Sequence, residues 1–264
     1  VREEVYVMEI LSRKVVLEPD GVRADSLLTP AVVRTTEGVA MLVRGDMEGR
    51  SNIYLATGDG ETFTLGDLVF EDAEDPRISV LDGKYVLTFS RLAPNGTPRL
   101  YLATSADLRT WDTPRKLFDS WSKEGVLLKL GDKYLLMAER EPYGHIVLHE
   151  SDDLRSWRVL GVIVDRGGAR GVEPGFVAET DDSLLLFLNQ VDYADVGTVC
   201  LAKLPKDNIW FGGPRTEVLR PEQHWEVTPF PYLYAGGGYL DDEGNVHIYY
   251  SAADKVIGKA VVRL

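Results

Sequence analysis

Short apolar runs broken by polar turns fill the chain from end to end. "GVAMLVRG" (38–45), "GKYVLTFSR" (83–91), "DKYLLMAER" (132–140), "SLLLFLNQ" (183–190) and "NVHIYYSA" (245–252) are the clearest of them. Such runs, ~4–8 residues long, rich in β-branched and aromatic side chains and bounded by Gly, Asp and Asn, read as strands. The 3.6-residue stripe of an amphipathic helix is nearly absent. The pattern predicts an all-β protein.

The strands repeat. Each run above leads into a second one: "SNIYLATGDGETF" (51–63), "PRLYLATSADLRTW" (98–111), "GHIVLHESDDLRSW" (144–157), "GTVCLAKLPKDNIW" (197–210) and the shorter "KVIGKAVV" (255–262). Their equivalent residues Ala56, Ala103, His149, Ala202 and Ala260 are spaced by 47, 46, 53 and 58. Ahead of each pair lies another strand: "TPAVVRT" (29–35), "DPRISVL" (75–81), "EGVLLKL" (124–130), "EPGFVAE" (173–179) and "GGGYLDD" (236–242). Fourth strands such as "PRKLF" (114–118) and "TEVLRPE" (216–222) close most units. Units of four strands at a period of ~40–50 residues predict a five-bladed β-propeller, taken here as a single catalytic domain over 1–264. The fifth unit has no fourth strand after it. The N-terminal "RKVVLEPD" (13–20) resembles "RTEVLRPE" (215–222) and is expected to close the last blade, which protects an open sheet edge.

Composition narrows the partners. A formal charge of −13 over 264 residues disfavours nucleic acid and anionic membranes, while leaving room for a local cationic pocket. No apolar run approaches the ~20 residues that span a bilayer. The N-terminal "VREEVYVMEI" lacks a basic stretch followed by an apolar core, so no signal peptide is expected in it. Cys200 is the lone cysteine, which fits a reducing, cytoplasmic setting. His145, His149, His224 and His247 show no metal-ligand spacing, and no dinucleotide or phosphate-loop motif occurs, so neither metal nor cofactor is expected. A homo-oligomer is compatible with all of this.

Internal comparison separates scaffold from site. "SADLRTW" and "SDDLRSW" recur, so Ser105, Asp107 and Trp111, like Ser151, Asp153 and Trp157, are expected to form side-chain-capped turns under a packed indole. The inner strand of each blade begins at one channel mouth. Aligning those starts sets Asp75, Glu124 and Glu173 at one ring position, opposite Thr29 in blade one and a Gly-rich stretch in blade five. Strand starts favour acids as turn formers. Three converging carboxylates nonetheless point to chemistry, because like charges desolvated together push their pKa values apart. Arg44, Arg77, Arg91 and Arg140 stand near the same mouth, either paired with acids such as Glu74 and Glu139 or free to bind anions and hydroxyls. The segment 222–238, with Trp225, Phe230, Tyr232 and Tyr234, suits stacking on sugars or plain packing. Two carboxylates across a cleft are the minimum for glycoside hydrolysis, one protonated and one ionised.

"EDPRI" (74–78), "SDDLRSW" and the C-terminal Tyr249-Tyr250-Ser251-Ala252-Ala253-Asp254 resemble glycoside hydrolase family 130, the β-mannoside phosphorylases and hydrolases. The resemblance covers nearly the whole chain and implies an oligosaccharide substrate. It implies Asp75 as general acid, acting through a sugar hydroxyl. Arg44 and Arg140 sit where the family has arginines, and substrate contacts are expected from Arg44, Glu74, Arg77, Arg91, Lys123, Glu124, Arg140 and Asp254. The family's phosphorylases carry a Lys and a Tyr-His pair in the fourth blade, where this chain has "ARGVEPGF" and "LLLFLNQ". Glu173 there would repel phosphate and suit a base for water, so inverting hydrolysis is expected first, with Glu173 and then Glu226 as base. The alternatives are phosphorolysis, with inorganic phosphate among Arg44, Arg77, Lys123 and Arg140, and a non-catalytic carbohydrate-binding propeller. Thr29 in blade one speaks against a β-fructosidase-like or arabinanase-like propeller.

Overall fold

The computed structural model describes residues 8–141, 143–210 and 214–264. They form five four-stranded antiparallel sheets. The first described strand, β1 (Glu9–Leu17), stands apart from the sheet that follows it. Blade one comprises β2 (Ser26–Thr35), β3 (Gly38–Met47), β4 (Arg50–Gly58) and β5 (Phe63–Phe70). Blade two comprises β6 (Glu74–Leu81), β7 (Lys84–Leu92), β8 (Pro98–Ser105) and the two-residue β9 (Arg115–Lys116). Blade three comprises β10 (Ser122–Leu130), β11 (Lys133–Arg140), β12 (His145–Ser151) and β13 (Arg158–Val164). Blade four comprises β14 (Gly171–Glu179), β15 (Ser183–Val191), β16 (Gly197–Pro205) and β17 (Thr216–Leu219). A single helical turn, α1 (His224–Val227), leads to β18 (Leu233–Leu240), β19 (Asn245–Ala252) and β20 (Val256–Arg263). The inner strands β2, β6, β10, β14 and β18 contact one another in cyclic order, which closes a five-bladed propeller.

The last blade is sewn shut by the chain's own start. β1 runs antiparallel to β20, from Glu9 opposite Arg263 to Leu17 opposite Ile257. This closing strand begins earlier than the expected 13–20, and Arg13 and Lys14 lie in its middle. Its ladder with β20 reaches back to Glu9, and ion pairs hold its middle: Arg13 reaches Glu226, and Lys14 meets Glu61.

Apolar side chains alternate onto the faces between blades and pack there. Phe176 stacks on Phe187 with centroids 4.6 Å apart, and Phe70 stacks on Phe89 at 4.7 Å. The repeated turns form as the sequence predicts. Asp107 Oδ1 accepts from Arg109 and Thr110 N–H groups, Asp153 Oδ1 from Arg155 and Ser156, and Trp111 Nε1 donates to Leu108 O. No described helix is long and apolar enough to cross a membrane.

The channel is narrow because blade five brings its backbone against the backbones of blades four and one. A Cβ on Gly175 would lie 2.7 Å from Ala235 O, and one on Gly236 would lie 2.7 Å from Pro30 O. Asn189 reinforces this seam, accepting from Ala235 N–H at 2.8 Å and donating to Ala235 O at 3.0 Å. The Asn189 side chain thus clamps two blades together.

Candidate active site at the channel mouth

Each inner strand carries a bulge near its start, all at one mouth of the channel. The interruptions fall between Leu28 and Ala31, Glu74 and Arg77, Lys123 and Gly125, Pro174 and Phe176, and Ala235 and Gly237. A bulge re-aims side chains and ends regular pairing. Within the first three, Thr29, Asp75 and Glu124 adopt left-handed φ values of 42°, 54° and 49°. Non-glycine residues held there cost on the order of 1–3 kcal/mol and cluster at functional sites. Blade four departs from the ring alignment of the sequence. Glu173 pairs with Asn189 as Lys123 pairs with Glu139 and Glu74 with Ser90. Glu173 therefore occupies the register of Glu74 and Lys123, one residue before Asp75, whose own place is taken by Pro174. A proline ring forbids the positive φ of that place.

Asp75 is buried between two cations from different blades. Lys123 Nζ lies 3.0 Å from its Oδ2, and Arg44 Nη1 lies 3.3 Å from its Oδ1. Lys123 and then Arg44 outweigh the cost of burial and hold its carboxyl down at about 2. Arg44 also spans Glu74 at 3.4 Å and grips Asp46 with two hydrogen bonds of 2.8 and 2.9 Å. Glu74 is itself raised, mainly by burial.

Deeper in the channel, Arg77 ties three blades. Its Nη1 donates to Pro76 O at 2.9 Å, its Nε donates to Pro174 O at 3.1 Å, and its Nη2 faces Glu124 Oε2 at 3.5 Å. Glu124 is buried and its carboxyl is pushed well up, first by burial and then by the charge of Glu173. Glu173 is raised to about 7, first by burial and then by the charge of Glu139. Glu139 is also raised to about 7 by burial and by Glu124, and its Oε1 accepts the Gly144 N–H at 3.0 Å. Tyr234, at the start of β18, is raised well above the ordinary phenol range, first by burial and then by the charges of Glu173, Glu124 and Asp254. The mouth thus holds an ionised acid flanked by cations beside carboxyls that keep protons near neutrality. That is an acid–base set for breaking a polar bond. Among the described residues no group of three or more His, Cys, Asp or Glu side chains is arranged for a metal ion.

The model of the glycoside hydrolase family 130 family, described as β-1,4-mannooligosaccharide phosphorylase, matches residues 61–264. The chain belongs to glycoside hydrolase family 130. A curated relative, the 1,2-β-oligomannan phosphorylase of Thermoanaerobacter sp. (strain X514), is 28% identical over 204 residues, covering 72% of this chain and 68% of the relative. The β-1,2-mannobiose phosphorylase of Listeria innocua, solved with β-1,2-mannobiose, superposes with a TM-score of 0.83 at 16% identity, over 97% of this chain and 96% of that one. A glycosyl hydrolase from Bacteroides ovatus gives a TM-score of 0.79 at 21% identity, over 90% and 84%. These two structures share the propeller fold.

In this family 130 chain the mouth gathers Arg44, Glu74, Asp75, Arg77, Lys123, Glu124 and Glu173. Asp254, in the β19–β20 turn, joins them: burial raises its carboxyl, and the nearby charges of Arg44, Asp46, Asp75 and Lys123 also act on it. Three sequence candidates lie elsewhere. Glu226 is enclosed in α1, where its carboxylate accepts from Arg13 at 3.0 Å, from Tyr250 Oη at 2.7 Å, and from the N–H groups of Glu222 and Gln223. Its bonds are all to the fold, and it is corrected from candidate base to latch. Arg91 lies over Phe70, Phe89 and Tyr101 and donates to Glu71 O. Arg140 stacks on Phe118 at 3.9 Å and contacts His149 and Ser120. Each of these arginines directly follows the inward position of its strand, Ser90 or Glu139, so pleating turns it to the opposite face. Trp225 likewise packs, stacked on Tyr250. Reasoning from sequence missed Asp46 and gave Glu139 only as a partner for the arginines. The signal for Glu139 was strand pairing, since it sits directly across from Lys123.

Proposed function

We propose that this chain is a β-mannoside phosphorylase, cleaving a β-linked mannosyl unit from an oligosaccharide and transferring it to inorganic phosphate. The observation that carries the reading is the buried Asp75 between Lys123 and Arg44, in a chain of a family whose model and curated relative are named as mannoside phosphorylases. Asp75 serves the departing sugar oxygen. Arg44 and Lys123 supply positive charge for phosphate once sugar hydroxyls engage the carboxylates that now hold them. Glu74, Asp254 and Tyr234 line the mouth as hydroxyl partners. No cofactor enters this chemistry.

Hydrolysis, placed first from sequence alone, becomes the second reading. One observation favours it: Glu173, with Glu124 and Glu139, sets carboxyl groups where a phosphate dianion would meet repulsion and a water would find a base. The deciding experiment incubates β-1,2- and β-1,4-mannooligosaccharides with the protein, with and without phosphate, and separates mannose 1-phosphate from free mannose. Phosphate-dependent mannose 1-phosphate is expected. Free mannose formed at the same rate without phosphate overturns the assignment in favour of hydrolysis.

A further inference from the structure

Trp121 stands at the edge of the site and outside the packing of the fold. Trp111, Trp157 and Trp225 each pack against an apolar core between blades, whereas Trp121 packs against none of these cores among the described residues. It immediately precedes β10 and lies two residues before Lys123, so the two Cα atoms are at most ~7 Å apart. Lys123 is the side chain that meets Asp75 at 3.0 Å. The aromatic partner of Trp121 is Tyr143, set edge-on with centroids 4.9 Å apart and planes at 84°. Tyr143 lies in the β11–β12 turn, at the same end of blade three, because Arg140 at the end of β11 pairs with Ser122 at the start of β10. Its side chain is 56% exposed, and Trp121 is partly exposed.

Polar bonds rather than burial hold the two rings. Tyr143 Oη donates to Glu141 Oε1 at 3.0 Å. Arg140 lies 3.9 Å from the Phe118 ring and donates through Nη2 to Ser120 Oγ at 2.7 Å, which pins the segment leading into Trp121. Ser122 follows on, its Oγ accepting the Leu100 N–H at 2.9 Å. Aromatic faces kept in water cost free energy, and fixing them there in advance removes the ordering cost of a ligand that covers them. A pyranose suits such a surface: its C–H face is apolar and stacks on a ring, while its rim of hydroxyls reaches groups such as Glu141.

We propose that Trp121 and Tyr143 form a distal subsite that stacks a mannosyl unit of the departing chain, beyond the two units flanking the cleaved bond; this rests on the mannoside-cleaving reading above. Asp75 turns Oδ1 to Arg44 of blade one and Oδ2 to Lys123 of blade three. A chain that enters its transferred unit on the Arg44 side and crosses Asp75 therefore runs out over blade three. A disaccharide ends short of the two rings. A trisaccharide covers them.

The test measures kcat/KM on β-mannobiose and β-mannotriose of the linkage cleaved, and takes the trisaccharide-to-disaccharide ratio. The parent is expected to favour the trisaccharide by ~10-fold, the scale of one stacked ring. Trp121→Ala should bring the ratio close to one, Tyr143→Ala should lower it in part, and Trp121→Phe, which keeps a stacking face, should retain most of it. A parent that cleaves both lengths equally, or a ratio unchanged by Trp121→Ala, overturns the subsite and leaves the functional reading standing. Calorimetric titration of Asp75→Asn with the same two sugars reads the subsite without turnover. Tighter binding of mannotriose than of mannobiose, lost on adding Trp121→Ala, supports it, and equal affinity for the two lengths overturns it. Length-dependent binding together with no cleavage of any β-mannoside by the parent would sink the functional reading instead.

Discussion

Lys123 and Asp75, the second residues of two neighbouring inner strands, meet with Nζ 3.0 Å from Oδ2 at the channel mouth. The pair joins blades two and three, so each side chain is placed by a separate strand bulge. Asp75→Asn removes the proton carrier while keeping the shape. It is expected to lower kcat by ~10²–10⁴-fold, the range of lost general acid catalysis, with an unchanged circular dichroism spectrum. Activity within a few-fold of the parent would remove Asp75 from the reaction.

The pH dependence of stability follows from the raised carboxyls. Glu139 and Glu173 bind protons up to about 7 in the folded protein, against 4.5 for the ordinary value. Between these limits the folded state holds more protons than the unfolded chain, so stability falls as pH rises through that window and levels above it. Glu139→Gln removes one such penalty, worth ~1.4 kcal/mol per pKa unit as an upper figure. Urea midpoints at pH 5 and pH 8 should therefore lie closer together in this variant. An unchanged difference would show that Glu139 does not titrate in the window.

Asp75 carries the opposite sign. Its carboxyl sits at about 2 in the fold against an ordinary 3.8, so its contribution is present above 3.8 and is lost as pH falls from there to about 2. Asp75→Asn is expected to flatten the acid limb of thermal stability below pH 4 and to leave the slope between pH 5 and pH 8 unchanged. Calorimetry across both ranges separates the two effects.

Glu226 is expected to matter for stability and little for chemistry. Its enclosed carboxylate joins Arg13 of the closing strand to Tyr250 and to the backbone ahead of α1. Glu226→Ala strands a guanidinium and a phenol and should cost ~3–5 kcal/mol. A double-mutant cycle with Arg13→Ala should give strong coupling, because either change alone opens the same closure. Independent, additive losses would show that the closing strand is held elsewhere.

Gly175→Ala tests the seam between blades four and five. The added methyl would meet Ala235 O at 2.7 Å and Phe187 O at 2.9 Å. A loss of ~1–3 kcal/mol is expected from overpacking, together with a fall in activity as Pro174 O moves away from Arg77. A variant as stable as the parent would mean that the inner strands part without cost.

Much of this protein is legible before folding. The all-β class, the five units and the closing N-terminal strand follow from repeat spacing, because each blade needs the same alternation and the same turns. Asp75 was visible as an acid at a strand start, whereas Lys123 entered only as a substrate or phosphate contact. Glu173 was visible as an acid, but its register was misjudged by one residue. The bulge beside it lies at Pro174–Phe176, and no one-dimensional alignment registers a residue left unpaired by a bulge.

Sequence by itself determined the propeller, the family and the presence of an acidic channel mouth, since these rest on local periodicity and on short motifs. Only the tertiary structure decided which charges share a site. Glu226 became a latch and Arg91 and Arg140 turned to packing, because strand pleat and blade closure choose the face a side chain occupies. Glu124, Glu139 and Glu173 became proton-holding groups because burial from three strands crowds like charges that the sequence keeps far apart.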